Sequence, residues 1–176
     1  GTKPSLSSFY EKTGKKGVMI SAVDLLKGIA VGAGMTNIIV PGADGTLHTN
    51  YVGKAQAAVK AVTEDGYDFA YIHVEAPDEM GHQGSVEKKV KAIEYLDEKV
   101  IRPVVESLTA NKVDFRMLVL PDHPTPIRVR THTSDSVPYM LYDSTNLSQH
   151  TWNYNEKEAK ESGNFIFLSK ETLPKV

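Results

Sequence analysis

Apolar residues along the chain fall into two patterns. Short unbroken runs occur at Gly17-Val-Met-Ile-Ser21, Asn37-Ile-Ile-Val40, Phe69 to Glu75, Phe115-Arg-Met-Leu-Val-Leu120 and Val137-Pro-Tyr-Met-Leu-Tyr142. These runs are too short for helices and rich in branched and aromatic side chains, so they predict strands. Between them, apolar positions recur at helical spacing. Val23, Leu25, Leu26, Ile29 and Ala30 predict a helix over 22–33, weakened in its later turns by Gly28, Gly32 and Gly34. Val52, Ala55, Ala58, Val59 and Val62 predict one from Tyr51 to about Glu64, with Asn50 placed to cap it. Val86, Val90, Ile93, Leu96, Val100, Ile101, Val104 and Leu108 predict one long amphipathic helix, with Glu87 and Lys91 paired on its wet face. Shorter helices are predicted from Pro4 to Tyr10 and from Asn155 to Ser162.

Strands alternating with helices, with no tight hairpin turns between them, predict an α/β fold with a mainly parallel sheet and helices on both faces. Pro138 favours an edge or a strand start for the fifth run. Ligands of such sheets bind beyond the carboxyl ends of the strands. No repeat, low-complexity segment or interior linker divides the chain, so residues 1–176 are expected to form a single domain.

Composition narrows the chemistry. The formal charge of -2 gives no electrostatic reason to expect nucleic acid or an anionic membrane as partner. With no stretch of membrane-spanning length and no signal-peptide pattern, a cytoplasmic protein is expected. The chain has no cysteine, which excludes disulfides and thiolate ligands, so any metal must be held by Asp, Glu and His. It begins Gly1-Thr-Lys-Pro without an initiator methionine, consistent with a tag remnant, a processed end or a fragment.

The candidate chemistry lies at strand ends. After Phe69 to Glu75, Pro77 ends the ladder, and Asp78 and His82 follow four residues apart, a spacing that aims both side chains at one point. A carboxylate and a neutral imidazole suit Mn²⁺, Zn²⁺ or Mg²⁺. Taken alone, Asp-x-x-x-His also describes an ordinary surface turn. Two downstream clusters add weight: Leu120-Pro-Asp122-His123-Pro-Thr-Pro, whose adjacent Asp122 and His123 point apart and suit two ions or an ion and a phosphate, and Arg130-Thr-His132-Thr-Ser-Asp135. Together they describe an oxygen- and nitrogen-ligated hard-metal site suited to phosphate. His73 has two readings, a site residue or a core histidine with a backbone partner. His48 and His150 are expected in solvent, as are Arg128 and Arg130 unless they touch phosphate, and Trp152 carries no functional reading.

The run His73-Val-Glu-Ala-Pro-Asp78-Glu-Met-Gly-His82-Gln-Gly, the helix from Lys88 to Asp97 with Lys-Ala-Ile-Glu-Tyr-Leu-Asp, and Pro121-Asp-His-Pro-Thr-Pro followed by Thr131-His-Thr together resemble the archaeal-type, cofactor-independent phosphoglycerate mutases of the alkaline phosphatase superfamily. The resemblance implies an alkaline phosphatase-like fold in which Asp78, His82 and His132 hold one divalent ion and Asp122 and His123 contribute to a second, Mn²⁺ first and Zn²⁺, Mg²⁺ or Co²⁺ as alternatives. It implies interconversion of 3- and 2-phosphoglycerate through a phosphoserine. A homoserine kinase, a phosphatase, phosphodiesterase or sulfatase of the same superfamily, and a non-enzymatic metal-stabilised domain are the alternatives.

The family also carries, in a first half of the chain, an Asp-Gly ligand motif, the nucleophilic serine and an inserted substrate-gripping domain, and none is visible here. Asp44-Gly45 matches a turn of the family rather than that motif, and Ser21, Ser85 and Ser134 lack the signature of an activated nucleophile. The chain is therefore expected to be the C-terminal portion of a larger enzyme, inactive alone, with the missing N-terminal half as its partner.

Overall fold

The computed structural model describes residues 6–147 and 152–166. In chain order the elements are α1 (Phe9–Thr13), β1 (Gly17–Ile20), α2 (Asp24–Gly32), β2 (Thr36–Asn37), α3 (Tyr51–Thr63), β3 (Phe69–Ile72), α4 (Ala76–His82), α5 (Val86–Leu96), a π-helical segment (Asp97–Ile101), α6 (Arg102–Ala110), β4 (Arg116–Val119), β5 (Met140–Asp143) and α7 (Glu156–Glu161).

β1 lies between β2 and β3 in a parallel sheet, and every one of its residues is buried. Strand alternation splits its neighbours. Val18 and Ile20 face Ala58 and Ala61 of α3, with Ala70 and Ile72 of β3 packed beside them. On the other face a Cβ added at Gly17 would lie 2.9 Å from Met35 Cε and 3.1 Å from the Phe9 ring, so a larger residue there would push both side chains outward. The Phe9 and Phe69 rings pack at 5.1 Å on that face. Helices thus cover both faces of the parallel sheet. A larger core joins Tyr51 and Ala55 of α3, Ala76 and Met80 of α4, Ala92 of α5, and Val100, Val104 and Leu108, with Phe115 and Met117 packed against it. Each fully buried large aliphatic side chain here is worth about 1.5–3 kcal/mol.

Two features position the site. The register pairs Gly17 with Phe69 and Ile20 with Ile72, so β1 and β3 end together and Ser21 and His73 emerge side by side. β4 and β5 form a second, antiparallel sheet, with Arg116 opposite Asp143 and Val119 opposite Met140. The fourth and fifth predicted strands therefore do not extend the parallel sheet. The 20 residues between them, 120–139, let the chain reverse without a tight turn, and this loop carries Asp122, His123 and His132.

Other local differences have simple causes. The predicted helix over 86–108 is interrupted, because Pro103 in the first turn of α6 lacks an N–H and the wider π turn ahead of it absorbs the unmatched carbonyls. Lys91 pairs with Glu94 at 3.0 Å rather than with Glu87. The second strand shrinks to Thr36–Asn37. The first described helix begins at Phe9, where the Ser8 hydroxyl accepts the Glu11 N–H; Pro4, the predicted start, lies outside the described residues.

Candidate metal centre

Beyond β3 the chain turns directly into α4, whose first turn accepts Pro77 because an N–H there would have no intrahelical partner. Asp78 and His82 sit one turn apart on this helix, with Asp78 Oδ2 3.3 Å from His82 Nε2. The 120–139 loop supplies the remainder. His132 Nε2 lies 3.3 Å from Asp78 Oδ1 and 3.2 Å from His82 Nε2, and His123 Nε2 lies 3.5 Å from Asp78 Oδ1. One donor atom from each of Asp78, His82 and His132 falls within 4.8 Å of the others.

The chemistry of these donors fits a divalent cation. His82 Nδ1 lies 3.0 Å from the Arg130 carbonyl and donates to it. In the neutral ring that leaves a lone pair on Nε2, facing a carboxylate oxygen and a second imidazole nitrogen. Lone pairs turned on one another in this way are satisfied by a cation between them, and a mixed oxygen and nitrogen set suits first-row divalent ions.

A packed support holds the carboxylate. The buried Thr125 hydroxyl donates to Asp78 Oδ1, and Lys89 Nζ of α5 donates to the Thr125 carbonyl at 2.7 Å. Close approach depends on Gly81, where an added Cβ would lie 2.6 Å from the Thr125 oxygen. Burial pushes the Asp78 carboxyl up, but the Thr125 hydroxyl and the imidazoles of His82, His132 and His123 outweigh it and hold the group below the usual carboxylate range. Burial also pulls the Lys89 ammonium down.

Asp122 hydrogen-bonds to His73 and Tyr71, whereas His123 faces Asp78. Asp122 Oδ2 is 3.3 Å from His73 Nε2 and its Oδ1 3.5 Å from the Tyr71 hydroxyl. The hydrogen bond from His73, opposed by burial, holds its carboxyl below the usual range.

Residues 1–173 match the metalloenzyme superfamily. The chain belongs to that superfamily. It is 48% identical over 173 residues to the 2,3-bisphosphoglycerate-independent phosphoglycerate mutase of Methanosarcina acetivorans, covering 98% of this chain and 43% of that protein. It is 47% identical over 163 residues to the same-named protein of Methanothrix thermoacetophila, covering 93% of this chain and 41% of that one. The solved structure of the PH0037 protein from Pyrococcus horikoshii superposes with a TM-score of 0.82 at 30% identity, covering 92% of this chain and 48% of the other. The chain thus spans less than half the length of the curated relatives named here.

In this metalloenzyme chain the other sequence candidates scatter. Asp44 is engaged by the Thr46 hydroxyl and backbone, as a turn residue. Ser85 caps α5 by accepting the Lys88 N–H, and Ser134 is exposed. Arg128, Arg130 and His48 are exposed, as expected, and the Arg130 guanidinium packs over Gly84. Arg130 adopts φ 58°, a left-handed conformation that aims its carbonyl at His82. His150 lies outside the described residues. Thr125 and Lys89 escaped the sequence reading. Lys89 sits among the charges of a predicted wet helix face, and nothing in the spacing of Thr125 between two prolines marks it as a partner for Asp78.

Proposed function

We propose that this metalloenzyme chain forms the ion-holding part of a cofactor-independent phosphoglycerate mutase, which interconverts 3- and 2-phosphoglycerate through a phosphoserine. The observation that carries this reading is the convergence of Asp78, His82 and His132 within 4.8 Å, in a chain 48% identical to a relative bearing that enzyme's name. In this reading Asp78, His82 and His132 hold one divalent ion, and Asp122 and His123 contribute to a second. Mn²⁺ is the ion that the family resemblance favours, and the mixed carboxylate and imidazole set accommodates it as it does Zn²⁺, Mg²⁺ or Co²⁺. Bound there, such ions neutralise charge on phosphoryl oxygens and favour an ionised nucleophile.

The chain's own residues prepare the site. The Arg130 carbonyl orients His82, Thr125 and Lys89 fix Asp78, and His73 meets Asp122. We assign the nucleophilic serine and the substrate grip to polypeptide beyond these residues, because Ser21 is buried and Ser85 is committed to a helix cap. That polypeptide is the proposed partner, and a glycolytic reaction places the protein in the cytoplasm in this reading.

The test compares two proteins supplied with Mn²⁺ and 3-phosphoglycerate in a coupled isomerisation assay. The 176-residue chain is expected to give no turnover. A polypeptide of the relatives' full length containing it is expected to be active, and Asp78→Asn within it to be inactive. Turnover by the chain alone at about 1 s⁻¹, an ordinary enzymatic rate, would refute the assignment of the nucleophile. Ester hydrolysis or homoserine phosphorylation by the longer protein, without isomerisation, would refute the substrate.

A further inference from the structure

Apart from the Asp78 cluster, Ser21, His73 and Asp122 form a continuous hydrogen-bonded line across the carboxyl ends of β1 and β3. Ser21 Oγ lies 3.3 Å from His73 Nδ1, and His73 Nε2 lies 3.3 Å from Asp122 Oδ2. For a neutral imidazole, one proton arrangement satisfies every contact. A carboxylate can only accept, so Nε2 carries the ring proton. The neutral ring then has a lone pair on Nδ1, which requires a donor, and the Ser21 hydroxyl supplies it. The same hydroxyl oxygen accepts the Val23 N–H at 3.0 Å, which fixes its orientation.

The backbone of His73 is held as firmly. Its N–H donates to the Ile20 carbonyl at 2.9 Å, and its own carbonyl accepts from Lys54 Nζ at 2.9 Å. Lys54 is fully buried, so this anchor is shielded from water. The line is unsuited to nucleophilic use of Ser21, which is 6% exposed and has both its proton and a lone pair engaged.

We propose that His73 is a positioning residue, holding the Asp122 carboxylate in one orientation while Ser21 fixes its ring tautomer. The hydrogen-bond assignment stands on the geometry alone, and its consequence for ion binding rests on the reading of Asp122 as a ligand. Groups that orient a ligating carboxylate typically change metal affinity 10–100-fold when removed.

The test uses the whole 176-residue chain, labelled with ¹⁵N, at about pH 8, where an ordinary imidazole is neutral. Two-bond nitrogen–proton spectra are expected to show His73 protonated at Nε2 and bare at Nδ1, a Ser21→Ala variant to admit the other tautomer, and Asp122→Asn to shift the Nε2 resonance. A Nδ1-protonated ring in the wild type, or ring signals indifferent to Asp122→Asn, would overturn the proposal without reference to any metal. Calorimetric titration with Mn²⁺ then separates the two ideas. His73→Phe is expected to weaken binding about 10–100-fold, as Asp122→Asn does, with His73→Gln retaining part of the affinity through its side-chain N–H. If Asp122→Asn weakens binding and His73→Phe does not, the positioning role is refuted. If Asp122→Asn leaves affinity unchanged while the tautomer is as expected, Asp122 is no ligand and the hydrogen-bonded line survives.

Discussion

Gly81 shows how two opposing effects at one residue can be weighed. Alanine in a helix interior gains about 1 kcal/mol over glycine. Here the added methyl would lie 2.6 Å from the Thr125 oxygen and 2.9 Å from Lys89 Nζ. The lysine can swing away, but the carbonyl belongs to a buried residue, and such overpacking costs about 1–3 kcal/mol. Gly81→Ala is therefore expected to lower the denaturant midpoint despite its better helix propensity. Thr125→Val keeps the shape and removes the hydroxyl from Asp78, so Mn²⁺ affinity is expected to fall about 10–100-fold by calorimetry, while Thr125→Ser keeps it. At this scale the sequence was half legible. Asp78 and His82 declare themselves by spacing, because a helix converts four residues into one face. His132 lies 50 residues beyond His82; its polar cluster marks it as a candidate, but only the resemblance groups it with Asp78 and His82 on one ion, and Thr125 and Lys89 were missed because tertiary packing alone brings them to Asp78.

Among the elements, periodicity located most helices and strands, but not α4, a seven-residue helix where a loop was expected, nor how the later strands pair. A run such as Phe115 to Leu120 looks the same in a parallel or an antiparallel ladder, and the 120–139 loop is long enough for either. Nor did the apolar spacing over 86–108 register Pro103, since a π turn keeps Val100 and Val104 on the buried side. The antiparallel pair carries its own acid sensitivity. Arg116 Nε meets Asp143 Oδ2 at 2.7 Å across it, and that contact, with the Thr145 hydroxyl and backbone, lowers the Asp143 carboxyl to about 2. A carboxyl lower in the folded state than the ordinary value of about 3.9 stabilises the fold above that value, and the contribution disappears as pH falls through the folded one. Carbon-13 detection of the Asp143 carboxyl is expected to give a midpoint near 2, and Arg116→Gln to raise it.

For the molecule as a whole, the site joins two separately paired bodies, since α4 follows the parallel sheet and the 120–139 loop closes the antiparallel one. An ion held by both should stabilise the fold beyond its own neighbourhood. At a free concentration about a hundred times Kd, binding adds about 2.7 kcal/mol. For a chain of this size that corresponds to a rise in Tm of about 5–10 °C. Calorimetry is expected to show this rise with Mn²⁺, its reversal by EDTA, and no response in Asp78→Asn.

The alignment of β1 with β3 also makes residue count a stricter constraint than residue identity. Phe69, Tyr71 and His73 share one face of β3, and Ala70 and Ile72 share the other. Phe69 is 38% exposed and can be exchanged for another large apolar residue at modest cost. Inserting one residue between Asp68 and His73 would instead reverse the facing of every position after it, turning the imidazole from Asp122 toward α3. Insertions into the exposed turn at Asp65–Gly66 leave the strand's phase intact. A scan of single-residue insertions is therefore expected to find β3 intolerant at every position and the turn just before it permissive.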